Sequence, residues 1–201
     1  GEGVGAVVLY VGWERPALLS CAVRSDGQSA SLTAPNGLAQ ARLISAALAV
    51  AGVVMLQLVE AHGTGTALGD PTEASGLERA LGAAGPCVGG VKASLGHTEP
   101  AAGLAGLLTL ALGLQCGEAA PNAQLRALNP LLASLLLRMR VSMPMQALAH
   151  QSNAAVGVSS FGYSGTITHA SLSINHSCKA QAIDFSLRGA DAAGEGFAAR
   201  S

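Results

Sequence analysis

The stretch VEAHGTGTALGDPTEASGL, residues 59–77, turns an apolar run into a loop that carries a histidine, two threonines and two carboxylates in a short span. Its start reads as a strand ending at Glu60. The Gly-Thr-Gly-Thr run that follows demands a tight turn, because Gly63 and Gly65 can take backbone angles closed to other residues. Asp70-Pro71-Thr72-Glu73 then reads as the opening of a helix, with aspartate as the cap, proline at the first helical position and glutamate completing a capping box. Strand, glycine turn and helix in that order belong to α/β architecture, in which ligands gather at the carboxyl ends of strands. His62 stands at such an end. On local pattern alone, a histidine beside a glycine turn is more often structural than catalytic, and Asp70 with Glu73 more often a helix cap than a site.

Outward from that stretch the alternation continues. Strand-like runs fall at residues 5–11, 17–23, 55–60, 155–159 and 169–174, and residues 36–51 show helical spacing that closes on Gly52. A second helix is expected from Pro71, and the strongly apolar residues 100–116 are expected to form a third. The pattern predicts an α/β layered fold with helices packed on a sheet. Residues 115–151, interrupted by Pro121, Pro130 and Pro144, are read as loops and short helices. The ordered part is placed at residues 1–176, and residues 177–201, which lose periodicity and gain glycine and charge, are expected to be a tail or linker.

Composition narrows the function. Half of the 201 residues are hydrophobic and only 11% are charged, against about a quarter in ordinary domains, so much of the surface is expected to face other protein. A net charge of −1 with no Lys/Arg cluster argues against nucleic acid and anionic membrane as partners. Cys21, Cys87, Cys116 and Cys178 are scattered without a CxxC pair, which fits reduced structural thiols and a cytoplasmic or other reducing compartment. The apolar run at 100–116 falls short of the ~20 residues of a membrane span and reads as a core helix. The chain opens on Gly1 inside a strand-like run, with no signal peptide, and is expected to begin within a larger protein.

Two further constellations join the first. VGGVKASLGHTEPAAG, residues 88–103, sets Lys92, His97 and Glu99 between a short strand and the apolar helix, where charged groups are costly unless paired or used. AVGVSSFGYSGTITHASL, residues 155–172, reads as a hairpin whose glycine-rich turn bears Phe161 and Tyr163, aromatics that would otherwise be ordinary core. A metal-dependent hydrolase using His62, His97 and Glu99 is the rival chemistry, but the helical HExxH pattern is lacking and the histidines sit on separate loops.

Together, EAHGTGTALGDPTEASGL, GGVKASLGHTEPAAGLAGL and VSSFGYSGTITHASL, preceded by GEGVGAVVL and SDGQSASLTAPNG, resemble the C-terminal half of a β-ketoacyl synthase, the ketosynthase of type I polyketide and fatty acid synthases. The resemblance implies the C-terminal half of a thiolase-like layered fold, a mixed sheet with helices on both faces. It implies a condensing acyltransferase that joins an acyl thioester to a malonyl-carrier thioester with loss of CO₂. His62 and His97 would bind the malonyl thioester carbonyl, and Lys92 would hold the network through Glu73. Thr64 and Thr66 would bind pantetheine amides, with Phe161 and Tyr163 at an aromatic gate. No bound cofactor or metal is implied. The substrates would ride on the phosphopantetheine of an acyl carrier protein, and the partners would be that carrier, the N-terminal half of the same ketosynthase and a second copy in a homodimer. Two departures stand out: Ile167 replaces the asparagine of the family's GTNAH, and no cysteine elbow for the acyl-accepting nucleophile is present. An alternative is a non-catalytic truncated fragment that is at most an interaction partner.

Overall fold

The computed structural model describes residues 5, 7–11, 16–27, 34–83, 85–123, 125–149, 154–174 and 181–184. In chain order the elements are β1 (Val8–Val11), β2 (Ala17–Ser25), α1 (Gly37–Ala51), β3 (Leu58–Glu60), α2 (Gly69–Leu81), β4 (Cys87–Gly89), the single turn α3 (Lys92–Leu95) and a 3₁₀ turn (Glu99–Ala101). They continue with α4 (Ala102–Cys116), β5 (Glu118–Ala119), α5 (Pro130–Met139), β6 (Leu148–Ala149), β7 (Ala155–Phe161), β8 (Thr166–Ser173) and β9 (Gln181–Asp184).

Seven strands form one sheet in the order β1-β9-β2-β8-β7-β3-β4. The β3/β4 and β3/β7 pairs are parallel, and β7/β8, β8/β2, β2/β9 and β9/β1 are antiparallel, so the sheet is mixed, as expected. Helices cover both faces, and the pleat shows why. Leu58, Val156 and Val158 pack with Leu110, Ala111 and Leu114 of α4, whereas Val59, next to Leu58, packs with Ile44 and Leu48 of α1, Leu77 of α2 and Met139 of α5. Neighbours on one strand point to opposite faces, so Leu58 and Val59 of the short parallel strand β3 are both buried, one against each layer of helices.

Helix α1 forms as its sequence predicts: the Asn36 side chain accepts the N–H groups of Leu38 and Ala39, and Gly52 closes it in the left-handed conformation. The predicted capping box at α2 does not form. That helix begins at Gly69 behind Leu68, with no side-chain cap. Asp70 accepts the Gly65 N–H and Glu73 those of His62 and Gly63. Gly63 (φ 45°) and Gly65 (φ 72°) fold the preceding loop back over the helix start, so its own N–H groups reach the carboxylates first.

The expected core helix lies against the sheet through Ala102, Gly106, Leu110, Ala111 and Leu114. With its leading 3₁₀ turn, the span Glu99–Cys116 has a mean hydropathy of 1.2 and is long and apolar enough to cross a membrane by composition, yet only 28% of it is buried. Residues 115–151, read as loops and short helices, contain the ten-residue α5. Pro130 opens that helix at its first position, where a missing N–H costs nothing, and Asn129 caps it. Strand β9 lies inside the segment read as a tail and pairs with β1 and β2; the other residues of that segment, Cys178 included, lie outside the described ones.

Candidate active site

Strand β3 delivers His62 to a large open cleft of about 1230 Å³. The cleft is lined by His62, Thr64, Thr66, Glu73, His97, Phe161 and Tyr163, seven of the eight residues the resemblance assigned to the site, together with Glu99. The His62 ring meets His97 edge-on at 5.6 Å between centroids and Phe161 at 5.4 Å on another side.

The His62 loop is held from below. Glu73, buried on α2, accepts the His62 N–H at 2.7 Å and the Gly63 N–H at 2.9 Å through its two oxygens. Burial pushes the Glu73 carboxyl up to about 7, against the pull of those N–H groups. Burial, helped by Lys92 and His97 nearby, pushes His62 down to about 4, so its imidazole is neutral at pH 7. Its Nδ1 is buried and makes no hydrogen bond among the described residues.

His97 is exposed, on the loop between α3 and the 3₁₀ turn. Its Nδ1 accepts the Glu99 N–H at 2.8 Å. An accepting Nδ1 in a neutral imidazole leaves the proton on Nε2, so that nitrogen is a donor. Glu99 therefore orients His97 through its backbone, and among the described residues no group of three His, Cys, Asp or Glu side chains is placed to hold a metal ion.

Lys92, at the start of α3, does not line the cleft but stands behind it, half-buried. Burial pulls the amine below its ordinary value, and the charges of Glu60 and Glu73 work the other way. Thr64 and Thr66 place their hydroxyls 3.3 Å apart on the cleft wall, and Thr66 also accepts the Gly69 N–H at 3.0 Å. The two aromatics part company. Phe161 is the last residue of β7, paired with Ile167, rather than part of the turn, while Tyr163 is 84% exposed at the hairpin tip.

The family model for the β-ketoacyl synthase C-terminal domain matches residues 17–126, more than half of the chain. The chain belongs to the β-ketoacyl synthase family. Its ketosynthase segment is 42% identical over 187 residues to a component protein of the phenolphthiocerol/phthiocerol polyketide synthase of Mycobacterium tuberculosis, covering 84% of this chain and 10% of that protein. It is 39% identical over 194 residues to 6-methylsalicylic acid synthase of Aspergillus niger, covering 86% of this chain and 11% of that one. Among solved structures, the oxazolomycin ketosynthase domain OzmH KS7 of Streptomyces albus JA3453 superposes with a TM-score of 0.73 at 32% identity, over 79% of this chain and 30% of that one. The ketosynthase segment thus spans about a tenth of these curated relatives and under a third of the solved domain.

Within this ketosynthase fold, one residue escaped the sequence reading. Glu60, treated only as the end of a strand, is a buried carboxylate whose Oε1 accepts the Val91 N–H at 2.6 Å, one residue before Lys92. The signal was available: a charged residue closing an otherwise apolar strand is costly to bury without a partner. The described cysteines Cys21, Cys87 and Cys116 are free and none lines the cleft. Burial pushes the Cys87 thiol up, away from thiolate character.

Proposed function

We propose that this ketosynthase segment supplies the decarboxylation half of a condensing site, in which a malonyl thioester loses CO₂ and the resulting carbanion attacks an acyl thioester. The observation that carries the reading is the edge-on pair His62 and His97 on one cleft, the first neutral and the second bearing its proton on Nε2. Loss of CO₂ leaves an enolate. Imidazole N–H donors aimed at its oxygen stabilise the charge as it develops, and neutral donors spare the site a buried cation. Lys92 and Glu73 act behind them: Glu73 holds the His62 loop by its backbone, and the nearby lysine charge adds to the burial that keeps His62 unprotonated.

Thr64 and Thr66 on the cleft wall suit the amides of a phosphopantetheine arm, so an acyl carrier protein is the proposed substrate carrier, with Phe161 packing beside the acyl group. The acyl-accepting cysteine is assigned to the N-terminal half of the ketosynthase. A homodimer and a reducing compartment complete the proposal, and the isolated chain is expected to be inactive.

The test is His97→Ala in a complete ketosynthase carrying this segment. Decarboxylation of malonyl thioester should fall by about 10²–10³, the usual cost of one donor to a developing oxyanion, with acylation of the cysteine largely retained. Decarboxylation at the wild-type rate would overturn the role given to His97.

A further inference from the structure

Glu60 is a buried charged side chain two residues before His62, outside the lining of the cleft, to which neither binding nor proton handling has been given. It closes β3 between Gly89 of β4 and Val158 of β7 in the parallel ladder. Space for it is built by glycines: a Cβ on Gly89 would stand 2.7 Å from its Oε2, and one on Gly106 of α4 would stand 3.0 Å from its Cγ. Into that slot the chain places a carboxylate that accepts the N–H of Val91, the residue from which α3 starts and which precedes Lys92.

Lys92 is the charged group that acts on Glu60, while Glu73 feels Asp70 and Lys92, and His62 feels Lys92 and His97. Lys92 is the cation common to Glu60 and Glu73, and each carboxylate in turn is drawn down by Lys92. Burial of Glu60 is the larger effect and lifts its carboxyl to about 7. An apolar residue of similar size would fill the slot without that cost, so filling space does not account for a carboxylate here.

We propose that Glu60 is a positioning residue of the condensing site, fixing the turn that carries Lys92 through its hydrogen bond to Val91 and sharing the lysine's charge with Glu73. This rests on the reading of His62, His97 and Lys92 as the decarboxylation site. Its consequence for chemistry is indirect: Lys92, held in place behind the cleft, adds its charge to the burial that first keeps His62 neutral and able to donate.

Glu60→Gln in the complete ketosynthase tests it, because the amide retains an oxygen for the Val91 N–H and loses only the charge. Competitive acetylation with acetic anhydride reads the free amine of Lys92, with Lys179 as internal reference. At pH 9, where Glu60 is ionised, Lys92 of the variant should react about three- to tenfold faster, since a nearby opposite charge is lost. Below about pH 6 the wild-type Glu60 is itself protonated, and the two proteins should converge, which a purely structural role would not produce. Decarboxylation should show a lowered kcat with KM unchanged. Equal labelling at pH 9 would overturn the proposal. If Glu60→Gln does not fold, Gly106→Ala, whose methyl crowds Glu60 Cγ, should speed labelling in the same sense, and a wild-type rate there would overturn it equally. His97→Ala separates the two readings: full decarboxylation in that variant sinks the condensing site itself, whatever Glu60 does.

Discussion

His62 and His97 face each other across one cleft, yet the chain holds them in opposite ways. His62 follows a buried strand, and its loop is fastened by Glu73 at two backbone N–H groups and by Asp70 at a third. His97 hangs on an exposed loop, and its ring is held locally, by the Glu99 N–H two residues on. Glu99 itself lies in the left-handed region, φ 48°, and precedes a proline. One donor is therefore built into the core, and the other is set by a short segment under local strain. What holds the first in place is the buried carboxylate of Glu73, with the half-buried Asp70 beside it, accepting backbone amides, not the imidazole.

The comparison breaks first at Glu73. Glu73→Ala should cost about 3 kcal/mol of stability, because it strands two part-buried N–H groups that now share a carboxylate. Chemical denaturation of the complete ketosynthase measures this, and Glu99→Ala beside His97 should cost much less, since its backbone N–H survives the change. Equal losses would mean that the two loops are held alike.

A smaller effect sharpens the same contrast through pH. His62 and His169 sit at about 4 in the fold against 6.5 ordinarily, so the unfolded chain takes up protons first as the pH falls. Their contribution is complete above about 6.5 and declines towards 4. Glu60 and Glu73, at about 7 against 4.5, act the other way, stabilising below 4.5 and losing that contribution as the pH rises to 7. Between 4.5 and 6.5 the two pairs offset each other. Removing one carboxylate by Glu60→Gln should expose the histidine slope, with stability rising by about 1–2 kcal/mol more than in the wild type across that interval. Denaturant midpoints at several pH values would show it, and parallel curves for the two proteins would contradict it.

Much of this is readable from the chain alone, because glycine turns, helix stops and histidines on loops are local signals. Asn36 and Gly52 bound α1 correctly, and the motifs put His62, His97 and Phe161 in one site. The failures are those in which a distant partner outbids a near one. Asp70 and Glu73 are spaced to cap their own helix, yet the loop from Gly63 to Gly65 returns to claim them. Pro130 reads as a breaker, whereas Asn129 before it makes it a helix start. Glu60 reads as no more than a strand end because its reason for being charged lies across a strand pair, at Val91 and Lys92.

The smallest expected effect falls on the strained side of the comparison. A non-glycine residue in the left-handed region costs on the order of 1–2 kcal/mol, while glycine gives back roughly 0.5–1 kcal/mol in backbone entropy. Glu99→Gly should therefore leave stability within about 1 kcal/mol of the wild type, with a slight gain favoured. The Glu99 N–H can still meet His97 Nδ1, but glycine no longer confines the loop to the one geometry in which it does. Decarboxylation by the complete ketosynthase should fall severalfold, with the loss in kcat rather than KM, because a donor that wanders from the enolate oxygen weakens the transition state more than substrate binding. If instead stability fell by several kcal/mol with activity per folded molecule intact, the His97 loop would be part of the core after all, and the two histidines would be held by the same means.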